Sequence, residues 1–418
     1  MIKAILIGSG ARGAGAYAPY ALTHSDELKF VAVAEPIEER RLSFKKAHNI
    51  EDDKVFKDYK ELFNHKIEAD CVFVCTQDQD HFEPVMLALE KGYHVLCEKP
   101  MSGSLAECEA MVKASLKYNK TLAVCHVLRY TPFFLKVKSL IEEGALGRVI
   151  SINLTENVAF CHYAHSFVRG SWRNSKLSNP MILAKSCHDM DMLQYLAASK
   201  CESLSSFGSL TYFKAENAPK GAPLYCLEGC PEEKACPFYA PHLYLEKSRL
   251  TEREFRTIVS TEKDDDKFRE ILKTSPYGRC VFHCDNDVVD NQVVSMKFEN
   301  GITANFAMEA CTGKWGRTLA IMGSRGQLIA DTDEKTITLY DFLSDTKQAI
   351  KVEEETSGHM GGDLAIVEDF VRVLSSKGQY KAKTTAKESL ESHIMALAAE
   401  DARVTGEVVK LADFTKRL

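Results

Sequence analysis

The feature that most narrows the fold lies at the start of the chain. The apolar run IKAILI is followed at once by Gly8-Ser9-Gly10-Ala11-Arg12-Gly13 and then by a segment of helical character. A strand, a tight glycine turn and a helix, in that order, begin a βαβ unit of the kind that holds a dinucleotide. The first glycine permits the turn, the second lets the backbone approach a pyrophosphate, and the third brings helix and strand together. The helix N-terminus then faces the phosphate charge. A second run, KFVAVA, ends in Glu35, twenty-two residues past Gly13, where a carboxylate can accept hydrogen bonds from an adenosine ribose. Glu35 would repel a 2′-phosphate, which favours NAD over NADP, although Arg40 and Arg41 nearby weigh the other way.

Three further apolar runs, DCVFVC, HVLC and TLAVC, alternate with helical patterns over Asp80 to Lys91 and Ser104 to Lys117, and Pro132 opens another helix ending near Gly144. Residues 1–125 therefore read as a doubly wound α/β Rossmann domain with a parallel sheet. From about Arg148 the pattern changes to longer alternating strands, VISINLTENVAF and QVVSMKFE, the latter followed by the hairpin signal Asn300-Gly301 and then ITANFAM. With helices expected over Ser186 to Ala198, Gly362 to Ser375 and Ala386 to Thr405, residues 126–418 read as an α+β domain with a large, mostly antiparallel open sheet. The apolar content of those alternations predicts a second subunit on the outer sheet face, in a homo-dimer or homo-tetramer. A Pro- and Cys-rich stretch at about 215–275 interrupts this domain as an insertion, with a helix expected over Glu252 to Leu272.

Composition closes several alternatives. At 418 residues the chain exceeds the ~100–200 residues of one domain. A hydrophobic share of 45% with 27% charged residues is that of a folded globular protein. The net charge of −6 and the scattered lysines and arginines argue against nucleic acid as partner. No signal-peptide pattern or run of ~18 apolar residues is visible, so the expected location is the cytoplasm, away from membranes. Most of the fourteen cysteines sit singly in apolar runs, as small hydrophobes. Cys226, Cys230 and Cys236 do not; with Cys280, or Cys284, as fourth thiolate they could close a structural zinc site or, failing that, hold an iron-sulfur cluster, against the alternative of free thiols.

Glu98-Lys99-Pro100 follows the strand HVLC, at the sheet edge where ligands bind. Together with the glycine turn, Glu35, and Thr76, Gln77 and His81 after the third strand, it resembles the Gfo/Idh/MocA oxidoreductases, the glucose-fructose oxidoreductase and inositol dehydrogenase type. The resemblance implies that Lys99 hydrogen-bonds the substrate oxygen that becomes a carbonyl, and that Thr76, Gln77, His81 and Glu98 line the cofactor. Ala184-Lys185-Ser186-Cys187-His188-Asp189-Met190-Asp191 is similar to a family element whose histidine is the catalytic base, with Ala184 where the family has aspartate and Lys185 beside it. On one helix, residues 185, 188 and 191 would share a face, and the Lys185 ammonium would keep His188 neutral. Trp172-Arg173 resembles a pair placed near the cofactor.

His126, Arg129 and Tyr130 after the fifth strand, Asp191, and His359 in the loop Ser357-Gly358-His359-Met360-Gly361-Gly362-Asp363 are candidates for touching substrate; for His359 a plain connecting loop is the alternative. His393 reads as structural. Three functions follow: an NAD(P)-dependent dehydrogenase of a sugar, cyclitol or other polyol; a redox-neutral enzyme that oxidises a ring hydroxyl, eliminates an aglycone and returns the hydride; and a non-catalytic NAD-binding sensor. Substrate choice rests on loops such as Phe160 to Ser171 and on the insertion.

Overall fold

The computed structural model describes residues 1–246, 255–353, 358–376 and 378–417. Two sheets organise them. The first has six strands, neighbours running Val55–Phe56, Leu28–Ala34, Ile2–Ile7, Cys71–Val74, His94–Cys97 and Leu122–Val124. All of its pairings are parallel. The direction of winding reverses between Ile2–Ile7 and Cys71–Val74, and the carboxyl ends at that point open the crevice in which ligands of such sheets bind. These strands are almost wholly apolar because both faces are covered: Ile5, Val72 and Val95 on one side and Leu6, Phe73 and Leu96 on the other are all within 1% of full burial. The edge strand Val55–Phe56 has two residues, too few for an alternation to show in the sequence.

The second sheet has nine strands: Thr346–Lys351, Thr336–Asp341, Gly326–Asp331, Gly316–Gly323, Val149–Asn157, Thr303–Glu309, Asn291–Phe298, Cys201–Ser209 and Val409–Lys410. Only Thr303–Glu309 with Val149–Asn157 is parallel. The Asn300-Gly301 turn forms as its residues require, with Gly301 at φ 88°. Inward residues Ile152, Leu154, Leu204 and Phe306 pack beneath the helices Cys187–Ala197 and Ala386–Thr405 in one core. The outer face carries Ile150, Phe207, Val293 and Ile329, each at least 43% exposed, around a polar centre in which Ser295, Asn305 and Asn153 are hydrogen-bonded across strands.

One helix sits elsewhere than expected. Gly362–Ser375 packs on the first sheet, with Ile366, Val367 and Phe370 in the same core as Leu6, Phe30 and Phe73. The rings of Phe73 and Phe370 meet edge to face at 5.8 Å. The reason is local. After the glycine turn the chain forms only a seven-residue π-helical run, Ala11–Tyr17, and a five-residue helix, Pro19–Thr23, too little to cover that sheet face.

In the insertion, the helix expected over Glu252 to Leu272 begins outside the described residues. The described part is two helices, Phe255–Val259 and Asp265–Leu272, the second anchored by fully buried Phe268 and Leu272. Among the described residues no helix is long and apolar enough to cross a membrane.

Candidate active site

The glycine turn separates protein requirements from ligand requirements. At Gly8, with φ 89°, an added Cβ would lie 2.5 Å from the Cys75 carbonyl oxygen, and at Gly13 it would lie 2.2 Å from that of Gly8. The fold alone forbids side chains there. At Gly10 the nearest atom would be Arg40 Nη1 at 3.8 Å, so the space is open and fits a pyrophosphate lying against the backbone. Glu35 is 4% exposed and held at the strand end by Ser9 N on Oε2 (2.8 Å) and Ile37 N on Oε1 (3.0 Å). Oε2 also accepts from Ser9 Oγ (3.3 Å), and Oε1 retains accepting capacity for a ribose hydroxyl. Arg41 is committed, its Nη1 donating to the carbonyls of Glu35 (2.7 Å) and Pro36 (3.1 Å). Of the two arginines only Arg40 stays exposed.

Arg12, on the glycine turn, ties the first sheet to the loop before Gly362–Ser375. It donates to Glu98 Oε1 at 2.6 Å and to Asp363 at 2.7 and 3.1 Å, with His359 Nδ1 3.2 Å away. Tyr17 donates to the same Glu98 oxygen at 2.5 Å. Burial would raise the Glu98 carboxyl, but Arg12 and Lys99 outweigh it and hold it below its usual value. His359 and Met360 are non-glycine residues at φ 46° and 57°, and Gly361 follows at 85°. This strained turn points the His359 ring at Asp363, both of whose oxygens lie 3.0 Å from Nδ1.

Lys99 spans to the second domain, its Nζ donating to the Ala184 carbonyl at 2.8 Å. Lys185 and His188 do not share a helix as expected: Lys185 ends the short helix Met181–Ala184, and His188 opens the next, Cys187–Ala197. Lys185 instead faces Glu156 at 3.2 Å, and Arg317 lies between Glu156 (2.6 Å) and Asp189 (2.8 Å). Burial lowers the Lys185 ammonium against the pull of Glu156. Glu156 is held low by Arg317 and Lys185 despite its own burial, while burial pushes Asp189 up to about 6. His188 lies well below the usual imidazole range, first through burial and then through Lys99 and the neighbouring histidines His126 and His359. The direction is the one expected, with Lys99 in place of Lys185 as the nearby cation behind it. A cavity of about 1010 Å³ opens between the two sheets, with Arg12, Glu156, Lys185, Arg317 and His359 in its walls. Asp363, Glu156 and Arg317 were not found from the sequence. Asp363 had a signal, the glycine-rich loop ending in it; Glu156 and Arg317 are single charges in alternating strands.

Several expected contacts lie elsewhere. Arg129 and Asp191 form a buried two-pronged pair at 2.7 Å on each arm and have no reach left for substrate. Tyr130 donates to Asp369 at 3.0 Å inside the core of the first sheet. His126 is fully buried, its ring 5.8 Å from both His188 and His393, and neither nitrogen is hydrogen-bonded, Nδ1 lying 3.7 Å from Asp191 Oδ2. Arg173 pairs with Asp285 at 2.8 Å, away from the glycine turn. Trp172 Nε1 donates to Asp78 at 3.2 Å, beside the loop of Thr76 and Gln77, so a carboxylate unnoticed in the sequence joins the domains there. Thr76 itself donates to the Asp80 carbonyl, and His81, 1% exposed, bridges the carbonyls of Pro100 and Thr76, shaping the Lys99 turn from behind. His393 accepts from Met101 N at 2.8 Å, as a structural residue does.

The cysteine site is a correction. Among the described residues, which include Cys226, Cys230, Cys236, Cys280 and Cys284, no group of side chains could hold a metal ion. The guanidinium of buried Arg169 stands in their midst, Nη2 3.7 Å from Cys226 Sγ, so a fixed cation takes the place of zinc.

Comparison with known proteins agrees with this architecture. Residues 2–126 match the oxidoreductase family with NAD-binding Rossmann fold named GFO_IDH_MocA, and residues 138–411 match its C-terminal alpha/beta domain. YteT of Bacillus subtilis is 25% identical over 317 residues, 72% of each chain. The 2,7-anhydro-N-acetylneuraminate hydratase of Escherichia coli is 30% identical over 140 residues, so the match spans 34% of this chain and 37% of that one. The structure of levoglucosan dehydrogenase in complex with NADH and levoglucosan superposes with a TM-score of 0.71 at 17% identity, covering 98% of this chain and 99% of the other. Two matched domains in sequence, a six-stranded Rossmann sheet and a nine-stranded second sheet lead to one conclusion: the chain belongs to the Gfo/Idh/MocA family of oxidoreductases and carries that family's NAD-binding domain.

Proposed function

We propose that the protein uses NAD, in preference to NADP, to oxidise a hydroxyl of a sugar, cyclitol or glycoside. The observation that carries the reading is the 2.8 Å bond from Lys99 Nζ to the Ala184 carbonyl, which sets the ammonium next to Lys185 of the cavity wall and near enough to His188 to act on its charge. Glu35 held by the glycine turn, with Arg41 spent on backbone carbonyls, supports NAD. When bound, NAD supplies the hydride acceptor. Lys99 has two donors left after Ala184 and offers one to the hydroxyl oxygen. His188, neutral for the reasons given, accepts the hydroxyl proton. Lys185, Glu156 and His359 hold the remaining hydroxyls, and enclosure between the domains excludes water.

The domain division at residue 125, a cytoplasmic location and a homo-dimer or homo-tetramer built on the outer sheet face complete the proposal. Phe207, Val293, Ile150 and Ile329 on that face support the assembly, and the lack of a disulfide among the fourteen described cysteines supports a reducing compartment. A second reading, oxidation followed by elimination and return of the hydride, is favoured by the hydratase relative and by a second imidazole, His359, 6.1 Å from His188.

The test is nicotinamide absorbance with product analysis, on protein mixed with NAD and a panel of free sugars, inositols and glycosides. Steady NADH accumulation establishes the dehydrogenase. Aglycone release without net NADH establishes the redox-neutral cycle, and silence throughout leaves an NAD-binding sensor.

A further inference from the structure

Part of the cavity wall is aromatic, and no part of the mechanism above uses it. His162 and Trp315 line the cavity with their rings 5.2 Å apart and 24° from parallel. Phe255 backs both, at 5.8 and 6.0 Å and within 28° of parallel. Behind it the stack continues through His165 at 4.5 Å to Tyr277 at a further 4.7 Å. The rings come from separate segments: His162 from Phe160–Tyr163, His165 from Ala164–Arg169, Phe255 from the insertion's helix Phe255–Val259, Tyr277 from Pro276–Gly278, and Trp315 from the residue before the strand Gly316–Gly323. The insertion therefore supplies the middle of the stack, and Thr257, two residues on, lines the cavity. Parallel rings locked on one another present a broad flat apolar surface whose ordering is already complete before a ligand arrives.

The same cavity is lined by the charged groups Arg12, Lys185 and His359. At about 1010 Å³ the space exceeds what a six-membered polyol fills, and the part beside Ala11 and Arg12 of the glycine turn is left for the cofactor. Asp333 and Lys335 also line it.

We propose that Trp315 and His162 form a second-ring subsite. The substrate is then a glycoside: one ring is presented to Lys99 and His188, and a further flat ring, a pyranose or an aryl aglycone, lays its apolar face on the wall. This rests on the oxidoreductase reading of the site and narrows its substrate class from polyols in general to two-ring compounds.

The experiment pairs compounds that differ only in the second ring: the methyl and phenyl β-glycosides of glucose and galactose, cellobiose and lactose, and the free sugars with myo-inositol. The wild type should show kcat/KM at least about tenfold higher for a two-ring member than for its methyl glycoside or free sugar. Trp315→Ala should remove that preference, Trp315→Phe should restore most of it, and kcat/KM for the free sugar should change little in either. Equal losses on one-ring and two-ring compounds, or no preference in the wild type, would overturn the subsite. Absence of turnover with every compound would instead count against the oxidoreductase reading, and binding then decides the subsite. Trp172 and Trp315 are the two tryptophans, so in NAD-loaded Trp172→Phe protein the emission reports on Trp315. Saturable change with phenyl glycosides or disaccharides but not with glucose or inositol supports the subsite; unchanged emission with all of them overturns it. Phenyl against disaccharide response tells which ring is taken.

Discussion

Asp189 and Asp191 stand two residues apart on one helix, both within 1% of full burial, and end in different kinds of charge centre. Asp191 meets Arg129 in a closed pair, oxygen to nitrogen on both arms, and the remaining Arg129 nitrogen, Nη1, donates to the Lys383 carbonyl. Asp189 shares Arg317 with Glu156, and Glu156 in turn faces Lys185, whose side chain opens on the cavity. The two centres look alike in a sequence and in a burial profile. Burial of charge does not mark a site; charge left over at a cavity wall does.

If that distinction is right, substitutions on the two sides should fail differently. The largest effect is expected from Asp191→Ala, which strands a buried guanidinium and should cost about 3–5 kcal/mol of stability, read from urea unfolding. A variant with unchanged unfolding would show that the closed centre is not structural. Lys99→Ala and His188→Ala should leave the unfolding midpoint in place while turnover falls at least ~100-fold with NAD binding retained. Retained turnover in both would break the comparison from the other side. Glu35→Ala should weaken NAD by about tenfold and NADP less, since the lost hydrogen bonds are to a charged acceptor; equal losses, measured by titration of the two cofactors, would remove its assigned role.

The smallest effect is in pH. His188 must be neutral to accept a proton, and burial and Lys99 lower it below its ordinary 6.5, so the acid limb of kcat/KM should lie below pH 6.5. Removing the neighbouring cation in Lys99→Ala raises the imidazole, so the residual activity should lose its acid side at higher pH than the wild type. A limb that stays put, or moves down, would show that Lys99 does not set the charge of His188.

The cofactor half was legible because each of its residues answers to a nearby one. Gly8, Gly13 and Glu35 act within a single βαβ unit, where spacing along the chain is spacing in the fold. The substrate half was read less well. Glu156, Arg317 and Lys185 come together from a strand, a distant strand and a helix end, and no local period announces such a meeting. Arg129 and Tyr130 were misplaced because a charged or phenolic residue after a strand reads as available until its partner, Asp191 or Asp369, is known. The cysteines misled because sequence shows sulfur spacing but not the guanidinium of Arg169 among them.

The position of Gly362–Ser375 has a consequence for the order in which the molecule can be made. The first sheet is complete in the chain by Val124, yet Phe73, and the face it shares with Leu6, remain without their last helix until Phe370 has been synthesised. For more than half the time the chain is growing, the nucleotide half exposes one apolar face. Domains usually close in the order they leave the ribosome; here the first can only close after nearly all of the second exists, so the growing chain passes through a long interval in which chaperone capture and stalled translation would act on that face alone.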